Sequence, residues 1–223
     1  GRRPALLHNL ALALESSGRL DDADAALAEA VEADRSDHRI WTGWALLALR
    51  RNEPVLALER FARARELTDT PPARWYWGCA WAQALGDAWP DAVQTAREGV
   101  QAWPEHPVLS ATLGVLLEAT GDVGEAEAHL RHALREDPTI PQVSKNLGDL
   151  LYRAGRWEEA EEAYERAITL APALGDDVYF KLGNLACRRG DLITARDQWQ
   201  KALAINPDHA LARANLAGAG VAP

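Results

Sequence analysis

The chain has 223 residues, and its 24 basic and 33 acidic side chains give a formal net charge of −9. This balance argues against a general nucleic-acid-binding or membrane-binding surface, because both would need a continuous basic stripe. No apolar run in the sequence approaches the ~20 residues that a membrane-spanning helix requires. The opening residues 1–4 do not resemble a signal peptide. Because the sequence also contains no methionine, we expect it to be an excised or processed segment of a longer protein.

A unit of 34 or 35 residues repeats along the chain. In the most regular copy, residues 176–209, two helical patterns flank a Gly-Asp turn, and Asn-Pro follows the second pattern. A seventh helix is expected from Ala210. The six copies start at Pro4, His38, Ala73, Pro107, Pro141 and Asp176.

Three positions of the unit, numbered from its first residue, are always small. Positions 8, 20 and 27 hold only Ala or Gly in all six copies. Two helices can approach closely there, and a Leu would overpack the contact at a cost of ~1–3 kcal/mol. Four glycines allow the left-handed backbone that ends the first helix of a pair: Gly18, Gly121, Gly155 and Gly190. Four prolines at position 32 stop the second helix: Pro104, Pro138, Pro172 and Pro207.

This pattern resembles the tetratricopeptide repeat (TPR), a helix-turn-helix unit of 34 residues. The resemblance implies an all-α fold, a right-handed superhelical solenoid of antiparallel helix pairs. Stacked pairs bury the apolar face that one pair cannot bury alone. We expect a single domain over residues 4–217, with repeats at 4–37, 38–72, 73–106, 107–140, 141–175 and 176–209, a terminal helix at 210–217 and a tail at 218–223.

The first two repeats lack the helix-stopping proline. The second helix of repeat one is expected from Asp21 to about Ala33. Arg35 and Asp69 stand at position 32, so these helix ends are less sharply marked. Repeat two carries Asn52 where glycine is usual, and asparagine also tolerates a left-handed backbone.

Repeat three departs most from the pattern. It has Gly78 and Gly99 in place of larger or methyl-bearing residues and Ala96 where a large residue is usual. Two interpretations are open: function has altered the repeat, or its tryptophans fill the volume that Gly and Ala leave. Five of the nine tryptophans of the chain lie here: Trp75, Trp77, Trp81, Trp89 and Trp103.

Repeats four to six follow the pattern most closely and are expected to be the most stable part. The two cysteines, Cys79 and Cys187, lie in repeats three and six. Several helix layers of ~8–10 Å would separate them, whereas a disulfide needs Cα atoms within ~7 Å. We therefore expect a buried, unpaired Cys79 and no intrachain bridge. Two unpaired thiols favour a reducing compartment such as the cytoplasm.

The resemblance also implies a ligand surface. In this family the first helices line a concave groove, and positions 2, 5, 6, 9, 12 and 13 commonly point into it. These positions hold seven basic and four acidic residues, a surplus of positive charge in an acidic chain. The partner-binding residues predicted from them are Arg39, Leu46, Arg50, Arg74, Trp77, Trp81, Lys145, Asn146, Tyr152, Arg153, Phe180, Lys181, Asn184 and Arg188.

This surface predicts a protein or peptide partner with acidic groups and one or two large apolar anchors, since Trp and Arg are enriched in binding hot spots. The alternative is that the basic side chains only solvate the surface and pair with neighbouring acids. Two known groove types are not matched. The first is the carboxylate clamp that grips chaperone tails, and no three consecutive repeats supply its Lys, Asn and Arg set. The second is a groove lined by asparagine at position 6 of successive repeats, as in O-GlcNAc transferase. Here asparagine stands at that position only in Asn9, Asn146 and Asn215.

No constellation of residues indicates catalysis, and no cofactor is expected. His129 and His132 could share one helix face, but the spacing of a closed metal site is missing. The leading hypothesis is a non-catalytic protein-interaction scaffold or adaptor. A second is the recognition arm of a larger enzyme or of a pilus, envelope or polysaccharide assembly factor. A third is a scaffold that self-assembles into a homo-oligomer.

Overall fold

The structure, a computed structural model, describes residues 2–218, and for Arg2 only the backbone. Within this range it is all-α, without a strand, which confirms the predicted fold class. The helices are α1 (Arg2–Ser16), α2 (Leu20–Ala33), α3 (His38–Arg50), α4 (Pro54–Glu66), α5 (Ala73–Leu85), α6 (Trp89–Ala102), α7 (Pro107–Thr120), α8 (Val123–Glu136), α9 (Pro141–Arg153), α10 (Trp157–Leu170), α11 (Asp176–Arg188), α12 (Leu192–Ile205) and α13 (Ala210–Gly218).

The turns inside the helix pairs follow the sequence. All four predicted glycines have positive φ, between 74° and 94°, and Asn52 has φ 61°. Asp87 also has a positive φ of 60°, at the turn of repeat three, which the sequence analysis had not singled out. The second helices of repeats one and two end at Ala33 and Glu66 although no proline follows at position 32. A proline at position 32 is therefore not required to end the second helix of a repeat.

The chain divides into two compact units, with the boundary between Gly121 and Asp122. In the first unit, α1 pairs with α2, α3 with α4 and α5 with α6, while the first helices α1, α3, α5 and α7 adjoin one another in that order. In the second unit, α9 pairs with α10 and α11 with α12, α8 packs on α9, and α13 packs on α12. The single domain over residues 4–217 stays a prediction. Of the predicted tail, Gly218 ends α13 and residues 219–223 lie outside the described range.

One core cluster of the first unit is built around repeat three, and another joins α1, α2 and α3. Trp75 is buried, packs edge-on against Phe61 and Tyr76, and donates its indole N–H to the Phe61 carbonyl at 2.9 Å. A Cβ on Gly78 would meet Phe61 at 2.5 Å, and one on Gly99 would meet Tyr76 at 2.7 Å. Phe61 and Tyr76, rather than tryptophans, therefore fill the volume that these glycines leave.

The two cysteines are free thiols, and their surroundings differ. Cys79 is buried, as expected. Burial, with a smaller contribution from the charge of Glu98, raises the pKa of the Cys79 thiol to about 12. Cys187 is exposed.

Candidate interaction surfaces

The predicted residues of the first unit lie on α3, which adjoins α1, and on α5, which adjoins α3. We call Arg39, Leu46, Arg50, Arg74, Trp77 and Trp81 the first-helix surface of unit 1. Trp77 and Trp81 are four residues apart and so share one face of α5. Trp77 is 37% exposed and Trp81 is partly buried. Leu46 of α3 packs against α5 at Gly78, where an added Cβ would lie 2.6 Å from the leucine side chain. Neighbouring positions on α1 and α5 add exposed apolar groups, Leu12 and Leu85.

Two of the three arginines on this surface already have acidic partners. The guanidinium of Arg39 lies 2.7 Å from the Asp37 carboxylate, which also caps the N-terminus of α3. Arg50 lies 3.1 Å from the Glu15 carboxylate, across from α3 to α1. The carboxylates of Asp37 and Glu15 therefore neutralise two of the three positive charges that the predicted residues bring to this surface.

Arg74 is different. Its only hydrogen bond among the described residues is a long one, 3.5 Å, to the Arg39 carbonyl, and no carboxylate there lies within ion-pair distance. Burial, and next the charge of Arg39, lower the pKa of the Arg74 guanidinium. An arginine nevertheless remains protonated in a protein. The surface therefore contains a partly desolvated positive charge on which the Asp37 carboxylate acts only from beyond ion-pair distance.

His8 of α1 lies beside this charge. A Cβ on Gly43 would sit 3.1 Å from the His8 Nε2 atom, so the imidazole lies over the backbone of α3. Burial, and next the charge of Arg74, lower the pKa of His8, which favours the neutral ring. Its buried Nε2 atom has no hydrogen-bond partner among residues 2–218. Sequence analysis had not selected His8, because a single histidine at position 5 carries no signal without its neighbours.

The predicted residues of the second unit lie on α9 and α11. We call Lys145, Asn146, Tyr152, Arg153, Phe180, Lys181, Asn184 and Arg188 the first-helix surface of unit 2. Its two lysines form a closed network with two aspartates. The Lys145 ammonium lies 2.9 Å from Asp177 and 3.5 Å from Asp149, while Lys181 lies 2.5 Å from Asp149 and 3.6 Å from Asp177. Two positive and two negative charges cancel.

A buried tyrosine completes this network. The Tyr164 hydroxyl on α10 donates to the Asp149 carboxylate at 2.7 Å. Burial, and next the charge of Asp149, raise the pKa of Tyr164, so the hydroxyl keeps its proton. Burial alone would lower the pKa of Lys145, but its contacts with Asp177 and Asp149 outweigh burial and raise it. The lysines are therefore held as internal ion pairs.

Aromatic contacts organise one end of this surface. The Arg188 guanidinium lies 4.2 Å from the ring centre of Trp157, and Tyr152 packs edge-on against the same ring at 5.2 Å. Trp157 belongs to α10, a second helix, so the first-helix positions of the repeat did not predict it. Arg153 is exposed. Phe180 packs against the His209 ring, with ring centres 4.6 Å apart.

The two predicted asparagines act as hydrogen-bond acceptors within the protein. The Asn184 side-chain oxygen accepts from the Trp199 indole at 3.1 Å and from Asn215 at 3.0 Å. Asn146 accepts from Gln142 at 2.8 Å. The structure thus gathers the predicted residues into two sets, one in each unit, and provides most of the second set with internal partners.

Residues 2–218 contain neither a group of metal ligands nor a helix able to span a membrane. No three His, Cys, Asp or Glu side chains in that range are grouped so as to hold a metal ion. His129 and His132 each face a glutamate on their own helix, Glu125 and Glu136, at 3.7 Å. No helix in the described part of the chain combines the length and apolarity needed to cross a bilayer.

Family models for the tetratricopeptide repeat match residues 4–37, 42–107, 112–174 and 176–209. The TPR repeat-containing protein MJ1428 of Methanocaldococcus jannaschii is 26% identical over 153 residues, 69% of this chain and 27% of that protein. The TPR repeat-containing protein PA4667 of Pseudomonas aeruginosa is 30% identical over 159 residues, 70% of this chain and 26% of that protein. Cellulose synthase operon protein C of Xanthomonas axonopodis is 29% identical over 184 residues, 73% of this chain and 12% of that protein. The chain therefore spans about a quarter or less of these relatives.

Solved structures share the fold at low sequence identity. Pseudomonas aeruginosa PilF superposes with a TM-score of 0.84 at 20% identity, over 97% of both chains. PilW, a type IV pilus biogenesis factor, gives 0.84 at 17% identity, over 97% of this chain and 99% of its own. YrrB, a TPR protein with an unusual peptide-binding site, gives 0.63 at 23% identity, over 85% of this chain and 97% of its own. The family models, which together match most of residues 4–209, show that the chain belongs to the tetratricopeptide repeat family, and the helix pairs of the structure agree with them.

Proposed function

We propose that the protein is a non-catalytic interaction scaffold that binds a protein or peptide segment on the first-helix surface of unit 1. The observation that carries this proposal is the exposed Trp77 ring on the same helix as Arg74, whose partly buried charge has no carboxylate partner in the described structure. An aromatic anchor beside an arginine is the usual composition of a binding hot spot.

The chemistry of the preferred segment follows from Arg74. A carboxylate of the ligand would supply the counter-ion that the protein does not, and His8 could add a neutral hydrogen-bonding group beside it. A large apolar side chain next to that carboxylate would cover Trp77. The first-helix surface of unit 2 gives less support for an acidic ligand, because Asp149 and Asp177 already neutralise its lysines.

The test is a peptide-display selection on the intact protein, followed by calorimetric titration of the selected peptides. Trp77→Ala and Arg74→Gln should each weaken binding by about 10-fold or more, the size expected for hot-spot residues. Trp103→Ala is the matched control, because Trp103 is an exposed tryptophan of the same unit that follows a second helix. Unchanged affinity in a folded Trp77→Ala variant would show that the surface is assigned wrongly.

A second candidate is that this scaffold forms part of a larger assembly factor. The short coverage of the curated relatives, which include a cellulose synthase operon protein, and the superposition on two pilus proteins favour it. Sequencing the complete gene tests this candidate: further domains around residues 1–223 would support it, and a gene that encodes only these repeats would oppose it. Self-association remains a prediction that light scattering over a concentration series would check.

A further inference from the structure

An open groove of about 290 Å³ lies between α3 and α4 in unit 1. Its lining, which includes no residue predicted to bind a partner, consists of Trp41, Trp44, Leu56, Glu59, Arg60 and Arg63. The four residues from α4 follow one another at intervals of three, one and three, so they share one face of that helix. Trp41, Trp44 and Leu56 are only partly buried, so a ligand can reach the apolar part of this α3–α4 groove.

The two tryptophans of the groove have ring surfaces but no free donor. Their ring centres lie 5.6 Å apart, with the ring planes at 42° to each other. The Trp41 indole N–H donates to the Arg35 carbonyl at 3.0 Å, and the Trp44 indole N–H donates to the Asp24 carboxylate at 2.7 Å. Since both N–H groups are engaged, a ligand interacts with these residues through their rings, which attract apolar groups and cations.

A cation of the protein already lies on one of these rings. The Arg60 guanidinium is 3.8 Å from the ring centre of Trp44. It also donates to the Trp44 carbonyl at 3.1 Å, and it lies 3.3 Å from the Asp24 carboxylate. The groove therefore shows how it accommodates a cation, which is on an indole face with a carboxylate nearby.

The charges of the groove leave one carboxylate over. Arg60 is paired with Asp24, and Arg63 lies 2.6 Å from Glu66 of its own helix. Glu59 is exposed and makes no hydrogen bond or ion pair within residues 2–218. Because the arginines are neutralised by their partners, the remaining charge is the negative one of Glu59, which favours a basic ligand.

We propose that the α3–α4 groove binds a long basic side chain, such as that of lysine, from a partner protein. The apolar stem of this side chain covers Leu56 and the Trp41 ring, and its cation lies between the ring and the Glu59 carboxylate. The ligand is opposite in charge to the acidic segment proposed for the first-helix surface of unit 1. The two sites share no residue, so either proposal can fail without the other.

The probe is the peptide acetyl-Gly-Lys-Gly-amide, titrated into the intact ¹⁵N-labelled protein. NMR follows the indole N–H signals of Trp41 and Trp44, which the variants Trp41→Phe and Trp44→Phe assign. Both signals should shift with the lysine peptide. The matched peptide with norleucine keeps the four-carbon stem but has no ammonium group. It should bind ~3- to 10-fold more weakly, the effect of a cation–π contact together with an exposed ion pair.

Three variants separate the contributions to binding. Glu59→Gln should weaken the lysine peptide several-fold and leave the norleucine peptide unchanged. Glu105→Gln is the control, because it removes the same charge from an exposed position of unit 1 outside the groove, and it should change neither affinity. Trp41→Leu keeps an apolar surface without a π system, so it should weaken the lysine peptide more than the norleucine peptide. Circular dichroism confirms that each variant is folded.

Three results would overturn the proposal. The first is that neither indole signal shifts at millimolar lysine peptide. The second is equal affinity for the lysine and norleucine peptides, which would mean that the groove takes an apolar side chain instead of a basic one. The third is an equal loss of affinity in Glu59→Gln and Glu105→Gln, which would mean that the peptide responds only to the net charge of −9 of the chain.

Discussion

At the scale of single residues, glycine at position 8 is paired with an aromatic ring at position 24 in repeats five and six. A Cβ on Gly148 would lie 2.7 Å from ring carbons of Tyr164, and one on Gly183 would lie 2.5 Å from the Trp199 ring. Both rings are buried, so they cannot swing out to make room. In these two repeats the aromatic ring on the second helix fits because glycine on the first helix has no side chain.

Gly148→Ala should destabilise unit 2 by ~1–3 kcal/mol, because the added methyl group overpacks the contact with Tyr164. The measurement is urea unfolding followed by circular dichroism. Gly124→Ala is the matched control in the same unit. Gly124 also lies in a helix, but nothing stands within 4 Å of its added Cβ. Alanine there should be neutral or stabilise by ~0.4–1 kcal/mol. Equal effects of the two substitutions would contradict the packing argument.

At the scale of helices, three N-termini are capped by aspartate side chains. Asp37 accepts from the backbone N–H of Arg39, Asp122 from that of Glu125, and Asp191 from that of Thr194. Each bond satisfies one of the backbone donors that the first turn leaves free. Hydrogen bonds from the Thr194 side chain and, next, from its backbone N–H hold the pKa of the Asp191 carboxyl below its ordinary value, because they stabilise the ionised form.

Asp191→Ala should lower the thermal midpoint at neutral pH, whereas Asp191→Asn should stay close to the wild type, since asparagine also caps helices well. A depressed pKa in the folded state stabilises the protein above the unfolded pKa of ~3.9, and this contribution is lost as pH falls through the folded value. The advantage of the wild type over Asp191→Asn should therefore shrink below about pH 4.

Scanning calorimetry between neutral and acidic pH measures this difference. Asp208→Asn is the control, because its carboxylate is fully exposed and lies outside the helices. If the difference between wild type and Asp191→Asn stayed constant down to the lowest pH, the cap would not depend on the charge of Asp191.

At the scale of the whole molecule, stability should vary along the chain, because each helix pair is held mainly by its neighbours. Helix α13 packs on α12 and contributes only Ala212 and Leu216 as buried residues. Helix α11, which packs on both α10 and α12, buries six residues. Both are first helices, but α11 packs against a helix on either side, whereas α13 packs against α12.

Amide hydrogen exchange should accordingly be faster in α13 than in α11, since local opening of α13 exposes less buried surface. Mass spectrometry of peptides from residues 176–188 and 210–218 measures both helices in one experiment. Both α11 and α13 are first helices, so their position within the repeat is the same in this comparison. Equal protection in the two helices would show that they open together.

The repeat pattern was sufficient to predict the fold. The spacing of small residues, turn glycines and prolines is local and repeats six times, so each copy independently supports the same helix pair. It also predicted that Cys79 is buried. The spacing of Lys145 from Asp149, and of Asp177 from Lys181, could have indicated the ion pairs of unit 2, because residues four apart are neighbours on a helix. The predicted binding residues remain predictions.

The pairing of charges between helices, and the space left between them, became visible only in the folded structure. Lys181 forms an ion pair with Asp149 of the preceding repeat, while no carboxylate of the described region lies within ion-pair distance of Arg74. The open space of about 340 Å³ between α8, α9 and α10 likewise depends on three helices that meet there. The repeat period fixes which face of a helix a residue occupies. It does not fix which atoms of neighbouring helices come within hydrogen-bond distance, since that depends on side-chain length and helix separation.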